Sequence, residues 1–423
     1  MVIYTVRPGD TIWSIAARFG VPAERLILDN ELTPESLSVG QAIVVTYHSK
    51  VHTVRQGDTL WSIAADYGIS TNQLYRNNPI LGGNDELYPG QSLVIEFSDA
   101  KRGTLSVTGY VYTFVDESTL RKTLPYLTYL AIFSYGMRED GSLIIPDDEK
   151  LIALAKEYGA KPMLVLTSLG EDGTFSTERV SSVLNDPTAR DNLIANLVEV
   201  MNQKGYEAIN SDFEYIQSSD SQVYVDFIRM LRESLAPFGK TVDVSLAPKT
   251  SDRQIGLLYE GIDYKMLGEA ADTVFLMTYE WGYTYSEPRA VAPIPAVKQV
   301  VDYAVGVIPR ETIFMGMPNY GYDWQLPWVE GVPARSLSNV EAIGLANNSG
   351  AEVFYDETAE TPWFRYFDER GENHEVWFED ARSVDAKLAL ANSENLLGIG
   401  IWNVTRWFPQ LWLVLNILYN IRR

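Results

Sequence analysis

Two carboxylic acids, Asp212 and Glu214, stand two residues apart in the run Ala208-Ile209-Asn210-Ser211-Asp212-Phe213-Glu214-Tyr215. Like charges a few ångströms apart cannot both ionise easily, so such a pair holds a proton near neutral pH. That suits general acid catalysis, with a protonated Glu214 donating to a leaving oxygen and Asp212 behind it. The bland alternative is a strand end whose acids merely reach water.

The flanking elements decide how the pair is held. Gly205-Tyr206 ends a helical run from Asn192 to Lys204, and Gln217 to Asp220 reads as a loop into a helix from Val223 to Ala236. A short extended segment between two helices predicts a strand, Ala208 to Glu214, of a parallel α/β fold. Period-two alternation puts Ala208, Asn210, Asp212 and Glu214 on one face. Ile209, Ser211, Phe213 and Tyr215 take the other. Both faces of a parallel sheet are covered, so the polar face must be paired, hydrogen-bonded or kept for chemistry.

Residues Glu207 to Glu214 resemble the Asp-Gly-x-Asp-x-Asp-x-Glu signature of family 18 glycoside hydrolases, the chitinase-like barrels. The last two acids match; Glu207, Ala208 and Asn210 depart from the pattern. Further strand-like runs follow at Leu105 to Tyr112, Tyr129 to Ser134, Lys161 to Ser168, Thr241 to Ala247, Thr273 to Tyr279, Thr312 to Pro318 and Gly398 to Trp402. Helical stretches such as Asp148 to Tyr158 and Ala296 to Val305 fall between them. Eight strands across residues 103–423 predict a (β/α)₈ TIM barrel with the motif on its fourth strand. A small α+β insertion is expected between strands seven and eight, over about Pro327 to Asp385.

Three other segments resemble the family at strand ends. Met277-Thr278-Tyr279-Glu280 is similar to its Met-x-Tyr-Asp motif, with Glu280 replacing the usual Asp. Trp402 resembles the tryptophan that floors the bound sugar, and Tyr110 the tyrosine lining the pocket bottom. The resemblance implies a retaining, substrate-assisted mechanism. In it Glu214 is the acid, the substrate's 2-acetamido carbonyl the nucleophile, and Asp212 and Tyr279 hold the acetamide. Asn210 stands where chitinases carry an Asp that can share a proton with the middle acid. No metal or organic cofactor is implied.

The chain opens on an internal repeat. Tyr4-Thr-Val-Arg-Pro-Gly-Asp-Thr-Ile-Trp13 recurs as His52-Thr-Val-Arg-Gln-Gly-Asp-Thr-Leu-Trp61, and Asn30 answers Asn78. Each unit, 1–48 and 49–98, reads as βααβ, with Asp10 and Asp58 at or near helix N-caps and Trp13 and Trp61 in the first helical turns. Second helices are expected at Ala23 to Leu28 and Thr71 to Arg76, and closing strands at Ala42 to Thr46 and Ser92 to Phe97. The units resemble LysM modules, which bind N-acetylglucosamine-containing glycans such as peptidoglycan and chitin. Carried over, the sugar contacts fall at Gly9, Asp10, Thr11 and Asn30, and at Gly57, Asp58, Thr59 and Asn78. Ser98 to Gly103 reads as a polar linker. Deleting residues 1–98 is therefore expected to spare hydrolysis of short soluble substrates.

Composition bounds the rest. A formal charge of -22 argues against nucleic acid, and the absence of cysteine excludes disulfides and thiolate metal sites. Three histidines without metal spacing argue against a zinc site. The N-terminus shows no signal-peptide pattern. The apolar stretch Leu411 to Ile421 is too short to span a bilayer and reads as a core-packed terminal helix. With the LysM pair, the whole chain resembles the spore cortex-lytic N-acetylglucosaminidases of endospore-forming bacteria. That implies a peptidoglycan hydrolase of the spore coat or cortex, or one associated with the cell wall. The alternatives are an enzyme of the same class acting on chitin or N-glycans, and a non-catalytic glycan-binding coat protein.

Overall fold

The computed structural model describes residues 1–32 and 36–423. Each N-terminal repeat folds as predicted. The first has β1 (Val2–Thr5), α1 (Ile12–Phe19), α2 (Ala23–Asn30) and β2 (Ala42–Val45). The second has β3 (His48–Thr53), α3 (Leu60–Tyr67), α4 (Thr71–Asn77) and β4 (Ser92–Phe97). The N-caps are Thr11 and Thr59, each closing a capping box with Ser14 or Ser62, and not the aspartates. Asp10 instead accepts the Arg7 amide at 2.8 Å and the Tyr4 hydroxyl at 2.5 Å, while Asp58 accepts the Arg55 amide at 2.7 Å. These aspartates tie the turn one residue before the cap.

The barrel strands are β5 (Gly103–Tyr112), β6 (Tyr129–Met137), β8 (Lys161–Thr167), β9 (Ala208–Asp212), β10 (Thr241–Leu246), β11 (Thr273–Leu276), β12 (Ile313–Pro318) and β18 (Gly398–Trp402), with a short β7 (Leu143–Ile144) beside β6. All eight pair in parallel, and β5 pairs with both β6 and β18, which closes the sheet. The outer helices are α5 (Glu117–Thr123), α6 (Glu149–Glu157), α7 (Thr177–Asn185), α8 (Pro187–Lys204), α9 (Ser221–Leu235), α10 (Tyr264–Ala270), α11 (Ile294–Val307), α13 (Ala381–Ser393) and α14 (Pro409–Leu418). Helix α8 shows how the chain delivers the motif strand. Asp186 caps it, Pro187 starts it, and left-handed Gly205 stops it three residues before β9.

Several boundaries differ from expectation, among them β11, which stops at Leu276 short of Tyr279. Strand β9 ends at Asp212, so Glu214 leaves the pleat, and Tyr215 adopts a left-handed φ of 56°. The insertion begins at Gly321, directly after β12. Its five-stranded antiparallel sheet runs in the order β14 (Arg335–Leu337), β13 (Gly321–Leu326), β17 (Asn373–Trp377), β16 (Thr361–Phe367), β15 (Phe354–Asp356), with α12 (Asn339–Ser349) packed on it. The terminal helix stops at Leu418, and β19 (Tyr419–Ile421) pairs in parallel with β5. Among the described residues no helix is long and apolar enough to cross a membrane.

Ser98 to Gly103, read as a polar linker, joins modules that pack directly on the barrel. Arg102 donates its amide to Leu418, and Asp99 pairs with the N-terminal amine of Met1. Ala42, Val44, Val94 and Phe97 of the modules belong to the same apolar core as the barrel, and α14 packs against α2, α4 and β2. Buried polar bonds fix the register: Asn416 Nδ2 to Asn77 Oδ1 at 2.9 Å, Arg76 Nη1 to Pro125 O at 2.9 Å, and Tyr126 Oη to Arg76 O at 3.0 Å. Gly40 records how close the approach is. A Cβ there would fall 1.7 Å from the carbonyl oxygen of Val353 in the insertion, while at its repeat counterpart Gly90 nothing lies within 4 Å.

Candidate active site

The motif strand holds its side chains by what surrounds each face. On the outer face Ser211 lies 3.1 Å from Tyr224 Oη, and just past the strand end the Phe213 ring stacks on Phe227 at 6.0 Å, both partners being on α9. On the inner face Asn210, Asp243 and Thr273 are register partners across three neighbouring strands. Asn210 Nδ2 donates to Asp243 Oδ2 at 2.6 Å, and Thr273 Oγ1 donates to Asp243 Oδ1 at 2.6 Å. Ser245 donates to Asn210 Oδ1 at 3.2 Å.

One layer further, the strand ends open into a cavity of about 870 Å³. Tyr110, Asp212, Glu214, Met277, Tyr279, Glu280 and Trp402 all line it. The structure therefore brings together every barrel residue singled out from sequence except Asn210, which lies wholly buried beneath. Asp212 Oδ1 is buried with no hydrogen-bond partner among the described residues. An orphaned acceptor of this kind costs free energy unless a ligand donates to it.

Electrostatics favour a protonated acid. Burial pushes Asp212 up from the usual carboxylate range. Glu214 is pushed up by burial first, then by the charges of Asp212 and Glu280. Its side chain keeps solvent contact through the cleft mouth, which tempers the burial contribution but leaves its direction. Burial and the same three carboxylates hold the Tyr279 hydroxyl protonated.

Aromatic packing sets the floor. The Trp402 ring meets Phe133 edge-on at 5.0 Å, Tyr110 at 5.7 Å and Tyr112 at 5.8 Å. Tyr110 leans on Phe275 at 4.9 Å. Glu280 has a left-handed φ of 67° and accepts hydroxyls from Tyr320 and, at 3.2 Å, Tyr322. The extra methylene relative to Asp is thereby held to one wall.

Sequence reasoning missed Asp243, Ser245, Tyr320 and Tyr322. The first two carried a legible signal, since polar residues at alternate positions of Thr241 to Leu246 face inward in a strand covered on both sides.

In the modules, Gly9 and Gly57 hold left-handed φ values of 82° and 93° in the turns before Thr11 and Thr59. Asn30 and Asn78, expected as sugar contacts, spend their side-chain amides inside their own modules. Each amide donates to two backbone carbonyls and accepts one backbone N–H, from Val44 or Val94, so both are pins of helix to strand. Trp13 and Trp61 are exposed, at 61% and 74%. His374, Asp368 and Glu372 converge in the insertion, but Asp368 already accepts the amides of Arg370 and Glu372.

A barrel whose fourth-strand acids meet a tyrosine and a tryptophan in one cleft defines a glycosidase fold and site. The chain belongs to the glycosyl hydrolases of family 18: that family's model matches residues 106–406, and the LysM domain model matches residues 4–46 and 52–96. It is 40% identical over 430 residues to the cortical fragment-lytic enzyme of Bacillus subtilis (strain 168), covering 100% of this chain and 99% of that protein. It is 34% identical over 426 residues to the putative sporulation-specific glycosylase YdhD of the same organism, covering both in full. The crystal structure of the Bacillus cereus spore cortex-lytic enzyme SleL superposes with a TM-score of 0.83 at 36% identity, covering 99% of this chain and 98% of that one.

Proposed function

We propose that this glycosidase cleaves N-acetylglucosaminyl linkages in peptidoglycan, with fragments of spore cortex as its substrate. The observation that carries the reading is the orphaned Asp212 Oδ1 in the cavity beside Glu214. An acetamide N–H is the donor that would complete it, and the 2-acetamido sugars of peptidoglycan supply one. Relatives named as cortical fragment-lytic and spore cortex-lytic enzymes support the choice of substrate and a place of action in the spore.

The chemistry follows from the groups present. Glu214 gives its proton to the glycosidic oxygen as the bond from that oxygen to C1 breaks. The substrate's acetamide oxygen closes onto C1, forming an oxazolinium ion. Asp212 accepts its N–H and offsets its charge, and the Tyr279 hydroxyl donates to the acetamide oxygen. Glu214, now a carboxylate, takes a proton from water as the water attacks C1 and the bond from C1 to the acetamide oxygen breaks, restoring the acetamide. Two inversions give net retention. Trp402 supplies an apolar face under the sugar, with Tyr110 and Met277 below and Glu280 on the wall. The LysM modules hold the glycan through the turns at Gly9 to Thr11 and Gly57 to Thr59.

Mass spectrometry of borohydride-reduced digests tests the reading. New glucosaminitol ends are expected; new muramitol ends would overturn it.

A further inference from the structure

We infer that the saccharide path continues from the catalytic cavity to a second binding site at the junction of the first LysM module, the insertion and the α14 loop. The occupant is the same N-acetylated glycan strand, held several sugars away from the bond that is cut. This rests on the reading above of the chain as a glycan hydrolase.

Three cavities adjoin one another through shared lining side chains. The catalytic cavity shares Tyr112, Glu280 and Trp402 with a neighbouring one of about 300 Å³. That one shares Arg406 with a junction cavity of about 470 Å³. Asn319 lines the middle cavity and Asn339 the junction, and Asn339 Nδ2 donates to Asn319 Oδ1 at 3.4 Å, so one wall serves both.

The junction is walled by Glu31 and Leu32 of the first module, by Val340 and Gly344 of α12, and by Glu379 and Arg406. Its chemistry suits an aminosugar chain. Glu379 is buried against Lys387, whose Nζ donates to Glu379 Oε2 at 2.8 Å, and its Oε1 has no hydrogen-bond partner among the described residues. Acetamide N–H and hydroxyl groups are donors for such acceptors, Arg406 can donate to acetamide oxygens, and Leu32 and Val340 offer apolar surface to the methyl groups. The docking that rules out a free linker fixes this geometry: Trp407 Nε1 donates to Glu31 at 2.7 Å, and Ser38 Oγ to Asn347 at 2.7 Å. A module locked in this way can share one strand with the cleft without paying fresh orientational entropy.

The test uses full-length enzyme and reduced peptidoglycan glycans of increasing length. For the native chain kcat/KM should rise by about tenfold or more from the shortest oligomer cleaved to the longest, as about 1.4 kcal/mol of added binding requires. Gly344→Trp fills the junction from a helix position where an added Cβ meets none of the described residues within 4 Å, and Val340 is 46% exposed, so Val340→Trp is a second tolerated plug. Both should abolish the length gain while changing the shortest substrate by less than about twofold. Binding of long glycan to each plug in a Glu214→Gln background should weaken by the same factor as the lost gain. A native enzyme without length gain, or a gain surviving both plugs, would overturn the inference. Failure to cleave even the shortest oligomer would instead sink the proposed function.

Discussion

Asn210 Nδ2 lies 2.6 Å from Asp243 Oδ2, and both side chains are buried inside the barrel beneath Asp212. The position where the family signature has a carboxylate is thus neutral, while the neighbouring strand supplies the acid. Burial, opposed by bonds from Thr273 and Asn210, pushes Asp243 up to about 6. Ser245 donates to Asn210 Oδ1, so Asp243, Asn210 and Ser245 form one hydrogen-bonded row beneath the catalytic layer, with the acid one strand over.

Asn210→Asp should therefore destabilise in a pH-dependent way. Two carboxyls at this spacing share one proton, which raises folded-state values further above the unfolded ones. Between those values the folded state binds more protons, so stability falls as pH rises through the window. The loss of Tm relative to the native chain should be small near pH 5 and grow toward pH 8. A loss that does not vary with pH would mean the two groups do not interact.

The activity profile follows from the upward shifts of Glu214 and Asp212. Cleavage needs Glu214 protonated, so kcat/KM falls on the alkaline side as the raised Glu214 ionises. It needs Asp212 ionised, so the acid limb stands above the ordinary aspartate value of about 3.9. Glu214→Gln should cost roughly 10²–10⁴ in rate. Glu280→Gln removes one of the charges raising Glu214, so its alkaline limb should move to lower pH. An alkaline limb that stays put would remove Glu280 from the electrostatics of the acid.

Much of the site was legible because its residues lie on regular elements. Period two put Asn210 and Asp212 on one face, and the resemblance to the family's motifs picked out Tyr110, Trp402 and Tyr279, the last of them three residues past the end of β11. What was not legible depends on departures from regularity or on contacts distant in sequence. Glu214 and Tyr215 leave the pleat after Asp212. The insertion starts at Gly321 because β13 pairs with β17 some fifty residues later, a pairing that local pattern cannot announce. Asn30 and Asn78 look free in sequence and are consumed by backbone groups of β2 and β4. The docking of the modules was hidden for the same reason, since Asn77 and Asn416 are neutral, unremarkable residues until they meet.

Removing residues 1–98 should therefore do more than abolish glycan retention. It strips Ala42, Val44, Val94 and Phe97 from the common core and uncovers the apolar α14. Each large apolar side chain re-exposed costs about 1.5–3 kcal/mol. The truncated barrel should melt well below the full chain or aggregate, and lose turnover of short soluble substrates on warming. A truncation with native Tm and full activity would show the interface to be dispensable.

Tyr279 and Asp212 separate the acetamide mechanism from a protein nucleophile. Tyr279→Phe deletes one donor aimed at the acetamide oxygen in a closed, low-dielectric site, costing roughly 10²–10³ in rate by analogy with lost oxyanion donors. A thiazoline analogue of N-acetylglucosamine imitates the oxazolinium ion and should inhibit competitively. The same Tyr279 bond serves both species, so the variant should weaken the thiazoline by a comparable factor. Asp212→Ala should hurt more, because it removes both the N–H acceptor and the charge that offsets the ion. Asp212→Asn separates those two effects. An amide oxygen can still accept the N–H but carries no charge, so its rate should fall between the native and alanine enzymes. If the thiazoline does not inhibit, or a glycosyl ester on Asp212 or Glu280 is trapped, a carboxylate is the nucleophile and the orphaned Asp212 oxygen has been assigned the wrong task.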